Sequence, residues 1–415
     1  MPIQELKLLR NKNVFFFTLS QSISQLGDRI NNMAILSLLG TYAMGTHEYS
    51  MLAVWTVIPV LFFGPVAGAI TDRFNRKFLM IMGDFVRAFL VISLIFTFKL
   101  TRSFMLAYIT VFLTFTFTVL FNSAKNGLVV HIAGDKSKLP VLNSMLNFWG
   151  RISTGLGVLL GGIISDSFLW RKYNLEGWDV GLLFDGLTFI ISGFLLFFIK
   201  GEGDYIEPSS DAKINYLTSL KEGISFVRRR KILLSALVAG ALISFIGAVT
   251  YVLGIVKLQK VGHVGTAQMG IAGGIYGFGM LLGSYMAGRI LKGREYGILW
   301  NSVAFLGLIL ASISLTSNIL FLLPLFFIGG IFTSMGFISL ETLFQKFSTS
   351  EYLGRVVILK DIANALTFVF VVLVMGAWND ILSKFLGLEW ALNLNLLLSS
   401  ALALLFWIVW RITRV

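Results

Sequence analysis

Apolar residues in this chain come in long blocks, each closed by a short turn bearing Gly, Asn, Lys or Arg. A helix rises 1.5 Å per residue, so about 20 apolar residues cross a hydrocarbon layer about 30 Å thick. The blocks predict twelve membrane-spanning helices. They fall at roughly 13–40, 49–71, 77–99, 103–125, 139–165, 179–200, 231–257, 267–291, 296–316, 318–346, 353–383 and 387–410. The longest polar stretch is 201–230, midway along the chain. The pattern therefore predicts an all-α membrane protein of two six-helix bundles, 1–200 and 231–415, joined by a cytoplasmic linker. Within that linker, Tyr216 to Arg230 has the pattern of an amphipathic helix on the membrane surface. Its end, Arg228-Arg229-Arg230-Lys231, would favour anionic headgroups or act as a positive stop.

Composition agrees with lipid as the solvent. Of 415 residues, 56% are hydrophobic and 13% charged, against about 25% charged in soluble chains. Mean hydropathy is +0.82. Without cysteine there is no disulfide, thiolate metal site or cysteine nucleophile. His47, His131 and His263 fall in predicted turns, which leaves no histidine cluster for a metal or a proton relay. The net charge of +13 lies in the turns between spans. With the N-terminus inside, the inner segments hold 22 Lys and Arg and the outer turns seven, which predicts a multi-pass cell-membrane protein with both termini cytoplasmic. A nucleic-acid partner is not expected, because no basic soluble domain exists. The apolar run from Val14 is too long for a signal-peptide core and reads as the first span.

Ionisable and amide side chains inside such spans are costly unless they face a partner or a wet cavity. Span 1 carries Gln21, Gln25, Asp28 and Asn32 at spacings of four, three and four, hence on one face. Asp28 would bind a proton or a cationic group, or pair with Arg29 or another helix. Span 5 carries Asn143, Asn147 and Arg151, again one stripe. Arg151 would hold an anionic group or compensate Asp28 or Glu341. Glu341 near the inner end of span 10 suits a gate or an inter-helix bond. Asp361, beside Lys360 and on a face with Asn364, is a second candidate for protonation. Gly64 and Gly68 share a helix face suited to close helix contact. They lead into a basic turn. With Asp84 and Arg87 this turn, Gly68, Asp72, Arg73, Arg76 and Lys77, reads as a cytoplasmic gate, Arg355 acting from the second half. Tyr42 and Trp170 have the character of interfacial anchors.

The halves echo each other. Gly64-x-x-x-Gly68 leads to a basic turn, and Gly279-x-x-x-Gly283 leads to Arg289, Lys292 and Arg294; Lys136-Ser-Lys-Leu139 enters span 5, as Glu351-Tyr-Leu-Gly-Arg355 enters span 11. Two such halves around a central cavity would form a rocking transporter. Leu26–Ile35, the Gly64–Lys77 block, Gly83-Asp-Phe-Val-Arg-Ala88, Phe121–Gly127 and Glu351–Val356 together resemble the major facilitator superfamily. Within it they look like the drug-exporter branch of macrolide efflux proteins and the enterobactin exporter. Three positions depart: Asn75 stands where Gly is usual, Val158 where the antiporter motif has Pro, and Lys125 where drug exporters more often have Arg. Lys125 is closer to the related lysophospholipid transporters.

The resemblance implies a secondary active transporter working by alternating access as a monomer. Proton-coupled export of an amphiphilic small molecule (drug, macrolide or siderophore) is the first reading, and lysophospholipid movement the second. A membrane enzyme or scaffold is the third, and it lacks any acid–base pair or metal cluster with catalytic spacing. No nucleotide signature occurs: the glycines between Gly270 and Gly279 lie in an apolar span with no preceding strand. No cofactor or metal is expected, and the energy source would be an ion gradient or the substrate's own. Membrane lipid and a proton complete the expected partners.

Overall fold

In the computed structural model the described residues are 9–71, 73–134, 138–200, 216–291, 293–349 and 352–413. Among them no strand occurs. Twelve long helices follow the predicted blocks: α1 (Lys12–Tyr42), α2 (Thr46–Thr71), α3 (Arg76–Thr101), α4 (Phe104–Ala133), α5 (Leu139–Ile164), α6 (Gly177–Phe197), α7 (Lys231–Val249), α8 (Thr266–Ile290), α9 (Glu295–Leu315), α10 (Ile319–Phe347), α11 (Leu353–Leu386) and α12 (Leu388–Thr413). Beyond Val249, α7 continues through two π-helical turns, Thr250–Gly254 and Lys257–Val261. Nine helices among the described residues are long and apolar enough to cross a bilayer, or ten if α5 counts with the bent segment after it. The polar stripe of α1 and the glycine-rich sequence of α8 lower the hydropathy of those two.

Local chemistry sets the boundaries. Asn75 caps α3, its side chain accepting from Phe78 N, and Asn318 caps α10 through Leu320 N. Arg102 ends α3 in the left-handed region at φ 53°, and Gly387, at φ 79°, turns the chain sharply between α11 and α12. Two expectations about boundaries change. Helix α4 runs to Ala133, so Lys125 lies inside a helix and not in a turn. His47 and His131 likewise lie in helix ends, while His263 sits in a turn.

Two compact units emerge. Residues 43–54 belong with the second unit and 265–274 with the first; otherwise the division falls between Ser210 and Asp211. In the first, α1 packs on α5 and α6, and α3 on α4 and α6. Each pairing recurs six helices later: α7 packs on α11 and α12, and α9 on α10 and α12. The sequence repeat is thus a repeat of helix packing. The second unit also holds the linker helix, Tyr216–Arg228, which packs on the start of α11: Phe226 stacks on Tyr352 at 4.7 Å, and Arg355 pairs with Glu222 at 2.6 Å. Residues 201–215 lie outside the described residues.

Small residues set the closest helix approaches. A Cβ added at Gly157 would come within 2.7 Å of Leu26 O, and one at Gly161 within 2.8 Å of Ile30 Cα, so these glycines let α5 lie against α1. Gly279 and Gly283 play the same part between α8 and α10, where an added Cβ would meet Phe327 O at 2.1 Å and Ile331 O at 2.4 Å. The expectation for Gly64 and Gly68 is corrected: among the described residues nothing lies within 4 Å of a Cβ at either.

Candidate functional site

Close packing of α1 and α5 brings their polar stripes to one place. Gln21, Gln25, Asn143, Asn147 and Arg151 line a cavity of about 350 Å³ in the first unit, together with Lys125 from α4. Gly150 makes room for the amide of Gln25, whose Oε1 would lie 2.5 Å from an added Cβ. Gln21 is buried, and its Nε2 has no hydrogen-bond partner among the described residues. Asn32 is half-buried and lies outside this lining.

One turn along α1 from Gln25 the environment changes from amides to charges. Arg87 on α3 is fully buried, its guanidinium held between the rings of Phe121 and Phe189, each centroid 4.2 Å away. It binds Asp84 at 2.5 Å and lies 3.8 Å from Asp28. Asp84 accepts a hydrogen bond from Ser192 Oγ at 2.7 Å, and Ser192 in turn shares one with Ser20 at 2.8 Å. Asp185 on α6 is fully buried as well. It accepts from Asn31 Nδ2 at 2.6 Å and sits within electrostatic reach of Asp28 and Arg87. Asp28 itself is 38% exposed and faces Arg87, Arg29 and Lys125. Two carboxyls therefore pair with one buried guanidinium and a third, Asp185, is buried within electrostatic reach; the partly open Asp28 is also within reach of the cavity cation Lys125. Asp84 and Arg87, grouped above with the gate residues, thus lie in one interior cluster with Asp28.

The remaining gate residues have local partners. Arg76 Nη1 donates to Gly127 O at 3.4 Å, and Lys77 Nζ donates to Phe197 O and Ile199 O, at the C-terminus of α6. Gly68 O accepts from Thr71 Oγ1, and Arg73 is exposed. Asp72 lies outside the described residues. In the second unit Lys360 is buried and binds Glu341 of α10, with Asp361 at 3.2 Å. Asp361 is 66% exposed, and Asn364 Oδ1 is buried with no hydrogen-bond partner among the described residues.

Three residues escape the sequence reading. Asp185 is a carboxyl within an apolar block, so the cost rule that selects Asp28 applies to it equally. Lys125 reads as a turn residue only if α4 stops early. Asn31 carries no signal of its own, because its partner Asp185 is 154 residues away. At the C-terminal end of α1, Tyr42 donates to Glu176 at 2.6 Å.

Among the described residues no group of three or more His, Cys, Asp or Glu is arranged to hold a metal ion. A sequence model of the Major Facilitator Superfamily matches residues 17–370. The chain is 26% identical over 362 residues to the uncharacterized MFS-type transporter YfiS of Bacillus subtilis (strain 168), covering 85% of this chain and 83% of YfiS. It is 24% identical over 360 residues to BacE of the same organism, provisionally named a bacilysin exporter, covering 85% and 81%. Among solved structures, a bacterial homolog of the human lysosomal transporter Spinster, inward-facing and unoccupied, aligns with a TM-score of 0.72 at 12% identity, covering 99% of this chain and 96% of that one. The nucleoside transporter NupG aligns with a TM-score of 0.70 at 12% identity, covering 95% and 98%.

Proposed function

The chain belongs to the Major Facilitator Superfamily, and from that premise we propose that it exports amphiphilic small molecules, of drug, macrolide or siderophore type, in exchange for protons. That it is a multi-pass membrane transporter and not an enzyme follows from the family. The export direction draws support from the BacE relative, and the cytoplasmic placement of both termini from the Lys and Arg bias of the turns. The working form is a monomer surrounded by lipid.

One observation carries proton coupling: the carboxyls of Asp28 and Asp84 both meet the guanidinium of Arg87, and a third buried carboxyl, Asp185, lies within electrostatic reach of Asp28 and Arg87. A permanent guanidinium cannot exchange protons. One guanidinium pairs fully with one carboxylate, and here that is Asp84. A second buried carboxylate is costly while charged, and the partly exposed Asp28 is its route to water. The exchangeable proton therefore belongs to the Asp28–Asp185 side of the cluster. A second reading, lysophospholipid movement, draws on Lys125 and Arg151, which would receive a headgroup at the cavity.

Reconstitution tests the proposal. In proteoliposomes an imposed proton gradient should drive uptake of a macrolide or a fluorescent dye. Asp185→Asn should abolish gradient-driven movement while substrate-for-substrate exchange persists. Gradient-driven transport by Asp28→Asn and Asp185→Asn equal to the parent's would remove proton coupling through this cluster.

A further inference from the structure

We infer that the cavity between α1, α4 and α5 is an oxyanion site: it takes a ligand bearing a carboxylate or phosphate, held by Lys125 and Arg151 among the amides of Gln25, Asn143 and Asn147. The inference rests on the transport reading of this cavity and narrows it to substrates bearing an oxyanion, which takes cationic macrolides out of the proposed set.

The amides give the first indication. Gln21 is buried, lines the cavity, and leaves Nε2 without a hydrogen-bond partner among the described residues. That Nε2 lies behind the cavity surface, so Gln21 shapes the wall on the α1 side and leaves ligand contact to the side chains that open into the space. Gln25 is admitted only because residue 150 is glycine. Asn143 and Asn147 sit on the same face as Arg151, two turns and one turn before it. A guanidinium flanked by amides is a fork for planar oxyanions, and an ammonium adds a point charge from the facing helix.

The lining is also unbalanced in charge. Two cations, Lys125 and Arg151, contribute to it, and among the described residues no carboxylate does. Asp28 lies within electrostatic reach of Lys125 but outside the lining, where Arg87 and Arg29 also face it.

The volume sets a limit. About 350 Å³ lies at the low end of ligand sites and fits a single polar head or a compact molecule. A cationic amphiphile would face two like charges with no carboxylate in the described lining to receive it. Selection for an anionic head thus uses repulsion as well as attraction.

Fluorescence anisotropy with the purified full-length protein tests this using two dyes of similar size and opposite charge, 5-carboxyfluorescein and rhodamine 6G. Carboxyfluorescein should bind at least about tenfold tighter. Lys125→Gln and Arg151→Gln should each weaken it about tenfold or more. Arg151→Lys should recover part of the loss, and Gly150→Leu should weaken both dyes by displacing Gln25. Thermal unfolding of each variant identifies any loss that is merely misfolding, and Arg151→Lys remains decisive if Arg151→Gln fails to fold. Equal or tighter binding of rhodamine 6G, or carboxyfluorescein binding unchanged in both cation variants, would overturn the inference.

Competition identifies the source of the oxyanion. Displacement by lysophosphatidylglycerol but not by an acidic dipeptide makes it a lipid headgroup, the reverse makes it a soluble carboxylate, and both support the site. Binding and transport fail separately. Carboxyfluorescein that binds through Lys125 and Arg151 but does not respond to a proton gradient upholds the site and removes the coupled-export reading. Gradient-driven rhodamine 6G transport without charge-selective anion binding does the opposite.

Discussion

The two units use buried cations in opposite ways. In the first, Arg87 is 1% exposed and meets Asp84, also buried, with Asp28 and Asp185 crowding the same space. In the second, Lys360 is 2% exposed, yet its partners Glu341 and Asp361 are 46% and 66% exposed. In the second unit the carboxyls that meet the buried cation are thus open on one flank. The first unit relieves its charge by internal pairing, with Asp28 as the wet edge. The halves repeat their helix pairings, so the difference lies in side chains and not in architecture. A repeated scaffold has kept its packing and placed the acid-rich chemistry on one side of the repeat.

The contrast breaks most readily at Arg87. Arg87→Gln removes the cation bonded to a fully buried carboxylate and should cost about 3–5 kcal/mol, seen as a large fall in the thermal unfolding midpoint and in the yield of folded protein. A drop no greater than that of an exposed site would show that water reaches the cluster and that the units are alike. Lys360→Met should cost less, about 1–2 kcal/mol, because Glu341 and Asp361 can turn to solvent when their partner is lost. Parity between Lys360→Met and Arg87→Gln in the same unfolding assay would erase the distinction. Asp361→Asn should matter least, within about 0.5 kcal/mol, as expected for an exposed side chain. It should also leave gradient-driven transport intact, whereas Asp185→Asn should not, which sharpens the comparison at the level of function.

Much of this could be read from the residue order. The twelve blocks, the linker helix from Tyr216 and the two polar stripes follow from periodicity and the cost of polarity in lipid. The stripes converge because Gly157 and Gly161 admit α1, a contact that small-residue spacing anticipates. The same spacing misleads at Gly64 and Gly68, since a small residue permits a close approach without supplying the second helix. Lys125 is hidden for a related reason: a polar residue after an apolar run resembles a turn unless a cavity is there to solvate it. Pairings such as Asn31 with Asp185 depend on which helices become neighbours, and linear order does not encode this for side chains far apart.

The clamp of Phe121 and Phe189 on Arg87 has a mechanical consequence. A flat cation with two aromatic rings at 4.2 Å is held against swinging, so its positive charge is anchored to α3. A lysine in place of Arg87, having no flat face to grip, would turn a fixed pole into a loose one.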